Sequence, residues 1–449
     1  MARTPRRGNQ SRMSAIDEPA QLAASGFKKR VLHDIALLTM RGAGTVAKFL
    51  LAIYTARYLG LSDLGIYGLL VGATNIVPAI FGFGMTEWVM RKVVDLPRSE
   101  ALPLIASRLG LTLSLHLIVL PLALVVDILL GEPIPLRIAV LCTAIVLLET
   151  LGIEAIDLLI ARRRVFLAYW LTFLRTGVWP FPVMAIGFLY PEARTLEFLL
   201  WGWLGMLVVS WLIMAALVFP EGRWRHLHPQ WRLVSGHLRG GLLLYVKDVS
   251  GAVSMFLDRF LISLFLGLEL TGVYTLFWSI ANVVHSLSIS GVMLAQLPHI
   301  IVTAQTADQA GFRALERHLQ IQIGIWALLL ALGAAIATPL MLPFLDQPLV
   351  QDYLPIFWVI LFATLLRAAA DAYGFALLAL HRDRATAIIA LGGAIASAGL
   401  NLILTPLAGL WGASAAYVLT SGGLFAARFW QSRHEQPTAT PTRLDELEV

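Results

Sequence analysis

The chain has 449 residues, of which 58% are hydrophobic and 14% charged, and its formal net charge is +6. Soluble globular proteins carry about 45–50% apolar and about 25% charged residues, so this composition excludes a set of soluble domains and makes lipid the solvent. One cysteine, Cys142, excludes an intramolecular disulfide and a multi-cysteine metal site. Its basic residues are scattered among apolar runs, which points to membrane topology and not to nucleic acid.

Residues 1–32 hold seven Lys or Arg and no apolar core, so they read as a basic cytoplasmic tail and not as a cleavable signal peptide. Apolar runs then predict helices near 33–58, 63–91, 101–130, 135–161, 165–190 and 195–219, a first bundle of six spanning 33–219. Residues 220–239 carry Trp224, Trp231, four Arg and three His, the composition of an interfacial cytoplasmic linker. Six more helices are predicted near 240–266, 271–304, 318–345, 349–380, 385–407 and 409–431, a second bundle over 240–431, before a cytoplasmic tail at 432–449. Twelve crossings put both ends on one side. On that side fall 24 of the 34 Lys and Arg, against three (Arg57, Arg137, Arg194) on the other and seven inside apolar runs. The positive-inside rule makes the side of the tails cytoplasmic.

The two halves repeat. Leu59-Gly60-Leu61-Ser62-Asp63-Leu64-Gly65-Ile66-Tyr67-Gly68-Leu69 aligns without gaps onto Leu266-Gly267-Leu268-Glu269-Leu270-Thr271-Gly272-Val273-Tyr274-Thr275-Leu276, 207 residues later. The same offset pairs Phe49 with Phe256, Asn75 with Asn282 and Gly84 with Gly291. Six helices separate the copies, so the repeats are parallel. The expected fold is an all-α polytopic membrane protein of about twelve helices, in two six-helix bundles around a central cavity.

At these turns the chain resembles a known family. Ala56-Arg57-Tyr58-Leu59-Gly60 with Asp63-Leu64-Gly65-Ile66-Tyr67, and Leu257-Asp258-Arg259-Phe260-Leu261 ahead of Leu266-Gly267 and Gly272-Val273-Tyr274, are similar to the first and seventh helices and following turns of bacterial polysaccharide and oligosaccharide flippases. That family belongs to the multidrug/oligosaccharidyl-lipid/polysaccharide exporter superfamily. The resemblance covers roughly residues 35–430 and implies a non-enzymatic transporter of the bacterial inner membrane. It would pass a polyprenyl-pyrophosphate-linked oligosaccharide across the bilayer by alternating access, for lipopolysaccharide or exopolysaccharide biosynthesis, without a cofactor. A polysaccharide polymerase and a chain-length regulator are the protein partners such a role brings. The alternatives are a cation-coupled multidrug antiporter of the same superfamily and a membrane polymerase or ligase acting on the same lipid.

An ionised side chain at membrane depth costs several kcal/mol unless it is paired or faces water, so each one asks for a role. Asp34, Arg41 and Lys48 recur every seven residues, about 20° short of two helical turns, and form one stripe on the first helix. Arg175 lies ten residues into the fifth helix. Arg41, Lys48 and Arg175 are the expected ligands of the pyrophosphate. Lys247 and Arg259 either join them or are satisfied by Asp248 and Asp258. Arg367 and Asp371, four apart, suit an ion pair. Glu154 and Asp157 are expected to pair with the Arg162–Arg164 cluster, and Arg108 to snorkel toward the cytoplasmic surface. Glu87 and Glu149 are candidates for ion coupling, since burial raises a carboxyl pKa. His116, His285 and His299 form no ligand pattern, and no metal site is expected. Gly42-Ala43-Gly44-Thr45-Val46-Ala47-Lys48 lacks the Gly-Lys-[Ser/Thr] ending of a phosphate loop.

Overall fold

A computed structural model describes residues 39–435, apart from 41, 86–88, 90–92, 95, 130–134, 163, 219–240, 306–308 and 381. Both terminal tails as far as 38 and from 436, the linker 220–239, and the candidates Arg41 and Glu87 lie outside the described residues. Among the described residues the chain is helical throughout, without a strand. The first half runs α1 (42–58), α2 (Leu61–Gly82), α3 (Arg98–Leu129), α4 (Leu136–Ala161), α5 (Val165–Leu189) and α6 (Leu196–Val218). The second runs α7 (Leu242–Leu266), α8 (Leu268–Gln305), α9 (Gln309–Met341), α10 (Leu354–Ala379), α11 (383–407) and α12 (410–434).

The last two helices are joined without a loop. A straight helix over residues 383–434 would be about 78 Å long, more than twice the ~30 Å hydrocarbon core. Ala408 leaves the helical region and Gly409 takes φ 59°, so the chain turns back at this point. Gly412 then lies so close to the Leu404 carbonyl that no side chain would fit between them. Two helices also depart from the predicted regularity. α2 ends at Gly82, where Phe83 (φ 47°) and Gly84 (φ 65°) are left-handed and Gly84 abuts the Gly241 carbonyl. α5 contains a π-helical turn at Leu174–Val178 that re-aims Arg175 into the protein, a distortion common at functional positions.

The two halves meet along α2 and α8, and α2 also packs on α7. A Cβ on Gly65 would collide with the Leu268 carbonyl oxygen, and one on Gly272 would collide with that of Leu61. Gly65 and Gly272 are partners at the 207 offset, as are Leu61 and Leu268. The contact is therefore reciprocal, as across a two-fold axis. Between these points Gly68 faces Thr275, its own partner at the same offset, so closely that a Cβ on Gly68 would collide with the Thr275 hydroxyl. The pseudo-two-fold passes there. These contacts lie at the end of the bundle bearing the α1–α2 and α7–α8 turns, the outer end on the charge distribution of the sequence.

Candidate functional site

The cavity lies where the halves meet and holds about 420 Å³. Its wall comes from both bundles: α1 (Lys48, Phe49), α2 (Tyr67, Gly68, Val71, Asn75), α5 (Tyr169, Thr172, Phe173, Thr176), α7 (Met255, Phe256, Arg259) and α8 (Thr275, Trp278, Ser279, Asn282), with Met40, Gly44, Thr45 and Ser290 beside them. The repeat is written into this wall. Lys48 and Met255, Phe49 and Phe256, Gly68 and Thr275, Val71 and Trp278, and Asn75 and Asn282 are all partners at the 207 offset, and all line the cavity.

The charges break that symmetry. Lys48 has Met255 as its repeat partner, and Arg259 has Ala52. No carboxylate is among the described lining residues. Lys48 is half-buried and makes no hydrogen bond or ion pair among the described residues, although Glu149 and Arg175 are near enough to act on it electrostatically. Arg259 is 1% exposed, and its guanidinium carbon lies 3.8 Å from the ring centre of Trp278 and 5.1 Å from that of Phe256. Cation–π contact of this kind offsets part of the cost of burial. Yet both terminal nitrogens of Arg259 lack a hydrogen-bond partner. The obvious acid, Asp258, is used elsewhere: it accepts from the Tyr274 hydroxyl at 2.6 Å and from the Arg259 backbone N–H at 2.8 Å. One cation from each half thus reaches an aromatic and amide-lined cavity without an ion pair among the described residues.

The other candidates are placed differently. Arg175 is buried and donates to the Glu149 side chain, and at 3.0 Å to the Glu149 carbonyl. Trp203 Nε1 donates to the second Glu149 oxygen at 2.8 Å, so both oxygens of that carboxylate are engaged. Lys247 lies 3.8 Å from Asp248, both partly exposed. Arg108 does not snorkel. It is 2% exposed and pairs with Glu154, which also accepts from Thr112 at 2.7 Å; Arg162 instead donates to the carbonyls of Val93 and Leu96. Glu154 sits 46 residues from Arg108 in sequence, which no helical periodicity reveals.

A second polar cluster lies outside the lining residues, on the α8 side. Arg367 and Asp371 on α10 are 3.7 Å apart, as their spacing predicts. Asp371 also binds Arg428 of α12 and, at 2.9 Å, Nε2 of His285 on α8. Arg367 reaches Ser254 of α7 at 3.2 Å. Sequence reasoning missed Arg428, counted with the terminal charges, and left His285 isolated.

No family model and no curated protein matches the chain. Solved structures do share its fold. An inward-facing multidrug resistance MATE family transporter of the MOP superfamily superposes with a TM-score of 0.69 at 14% identity, over 90% of this chain and 97% of that one. An outward-facing MATE transporter of the same superfamily gives 0.60 at 16% identity, over 89% and 94%. A MOP superfamily transporter from Pyrococcus furiosus, reported with a binding pocket of reverse polarity, gives 0.59 at 15% identity, over 89% and 95%. The described residues have the twelve-helix fold of these MATE transporters.

Proposed function

We propose that the chain is a transporter of the bacterial inner membrane, with both termini cytoplasmic, and that it moves a polyprenyl-pyrophosphate-linked oligosaccharide between leaflets by alternating access. The observation that carries this reading is a cavity with no carboxylate among its described lining residues, where Lys48 and Arg259, one from each half, make no ion pair among the described residues. A pyrophosphate cannot cross hydrocarbon alone, and charge-assisted bonds from these two groups would replace its hydration. The rings of Tyr67, Tyr169 and Trp278 with the amides of Asn75 and Asn282 suit a sugar's mixed apolar and hydroxylated faces. The anion is assigned to Lys48 and Arg259 directly. Arg41, seven residues before Lys48 in sequence, lies outside the described residues, while Arg175 and Lys247 stand beside carboxylates and would act on the anion only through space.

A second reading, a cation-coupled multidrug antiporter, is favoured by the fold itself, which a multidrug transporter shares. Fold does not fix substrate. Two cations in the cavity wall would repel a cationic drug, which supports the reading with an anionic substrate. Transport by proteoliposomes tests this. A fluorescent polyprenyl-pyrophosphate glycolipid should be flipped by the native chain and ethidium should not. Each charge-assisted contact contributes about 1.5–3 kcal/mol, so Lys48→Ala and Arg259→Ala should each weaken binding about tenfold to a hundredfold. Ethidium transport with no flipping of the glycolipid would reverse the assignment.

A further inference from the structure

His285, which is not among the cavity-lining residues, and its partners form a charge-bearing cluster further along α8 from Trp278 of the cavity wall. His285 follows Trp278 by seven residues on α8, which places it on the same face about 10 Å further along the axis. Trp278 in turn covers Arg259. The groups facing His285 are Asp371 and Arg367 from α10 and Arg428 from α12. From α7 come Ser254, through Arg367, and the carboxylate of Asp258, which like Arg367 and Asp371 lies close enough to Tyr417 of α12 to interact with it. The described part of α2 carries only Asp63 as a charged residue, at its outer end, and the charged residues of α9 cluster in its first turns, at Arg313, Glu316 and Arg317. Two guanidinium groups therefore share one carboxylate, and the cluster carries one surplus positive charge with neutral His285.

The imidazole is poised to change that number. Nε2 is engaged with Asp371, so in the neutral ring it holds the proton and donates it. Nδ1 then carries the lone pair, and no protein group bonds it among the described residues. We infer that His285 is a proton-binding site coupled to the anion site of the cavity: a proton added at Nδ1, with Nε2–H kept on Asp371, raises the surplus to two positive charges and tightens the hold on an anion. The inference rests on reading the cavity as an anion site. Linkage makes the effect mutual, so the bound anion also favours the proton. Neither Glu87 nor Glu149 is needed for this coupling.

The magnitude follows from Coulomb's law. One added charge about 10 Å from an anion, at an effective dielectric of about 20, changes affinity roughly tenfold. The test is binding of geranylgeranyl pyrophosphate to the full chain in nanodiscs at about pH 8 and about pH 5.5. His285→Gln keeps an N–H donor for Asp371 and removes the titration. Taking the ratio of native to variant affinity cancels the ligand's own protonation. The expected ratio is near one at the higher pH and roughly ten at the lower. A ratio that stays flat overturns the coupling and leaves the anion site standing. Absence of binding by the native chain at both pH values overturns the anion site, and the coupling falls with it. If His285→Gln does not elute as a monodisperse folded protein, His285→Asn serves the same comparison.

Discussion

Arg108 and Arg259 are the most deeply buried cations described, at 2% and 1% exposure, and their surroundings assign them opposite roles. Arg108 has a carboxylate, a hydroxyl and a carbonyl around it, through Glu154, Thr112 and Phe81. Arg259 has two rings and no acceptor for its terminal nitrogens. A satisfied cation holds helices together, whereas an unsatisfied one next to a cavity is available to a ligand. Glu154→Ala should strand Arg108 and cost about 3–5 kcal/mol of stability, as removing one member of a buried pair does. Arg108→Met with Glu154→Leu should recover most of it, read as the midpoint of thermal unfolding in detergent. Pyrophosphate binding by the double variant should match that of the native chain. Equal unfolding midpoints for the native chain and Glu154→Ala would show that the pair is dispensable. None of this was legible in the sequence. The residues at spacings of four and seven could be read, and Arg367 with Asp371 confirms it, but Arg108–Glu154, Arg175–Glu149 and Arg428–Asp371 join separate helices.

At the scale of helices, the crossing of α2 and α8 is set by what is missing from Gly65 and Gly272. Small residues let membrane helices approach until backbones touch. Here the partner atoms are main-chain oxygens of Leu268 and Leu61, which cannot swing aside as a flexible side chain would. Alternating access requires this outer seam to part. Gly65→Ala or Gly272→Ala should therefore hold it open. With Cys142→Ala removing the native thiol and Val71→Cys reporting from the cavity wall, an impermeant thiol reagent applied outside should label either variant severalfold faster. Gly251→Ala is the control, since nothing lies within 4 Å of a Cβ there. Labelling at the control rate would mean that these contacts do not close the cavity. The repeat at 59–69 and 266–276 was readable as duplicated turns. That the two copies meet each other, glycine on carbonyl, required the fold, because sequence offset carries no information about which side of a helix faces the partner bundle.

For the molecule as a whole, helix number and parallel duplication were accessible because lipid imposes a length on every apolar run and because the 207 offset survives in the cavity wall. Two irregularities were not: the π turn at Arg175 and the left-handed break at Phe83–Gly84 fall inside predicted helices, whereas the loop-free reversal at Gly409 falls at the boundary between the helices predicted at 385–407 and 409–431. Sidedness rests on charge, and the three exceptions to the 24-to-3 division are informative. Arg57 donates to the Phe344 carbonyl, and Arg194 donates to that of Gly187 at 2.8 Å while lying 4.6 Å from the ring centre of Tyr58. Arg137 stands 3.4 Å from Glu197. All three thus have local partners at the outer end, so their side chains are tied to helix ends and do not oppose insertion. The topology proposed from the charges is open to a direct test. Green fluorescent protein joined after residue 435 should fluoresce, and alkaline phosphatase joined there should be inactive. Phosphatase inserted between Tyr190 and Arg194, at the turn joining α5 and α6, should be active. Activity at both positions, or at neither, would contradict the odd number of crossings, α6 to α12, that separates this turn from the chain end. Inverted activity would place the basic ends outside.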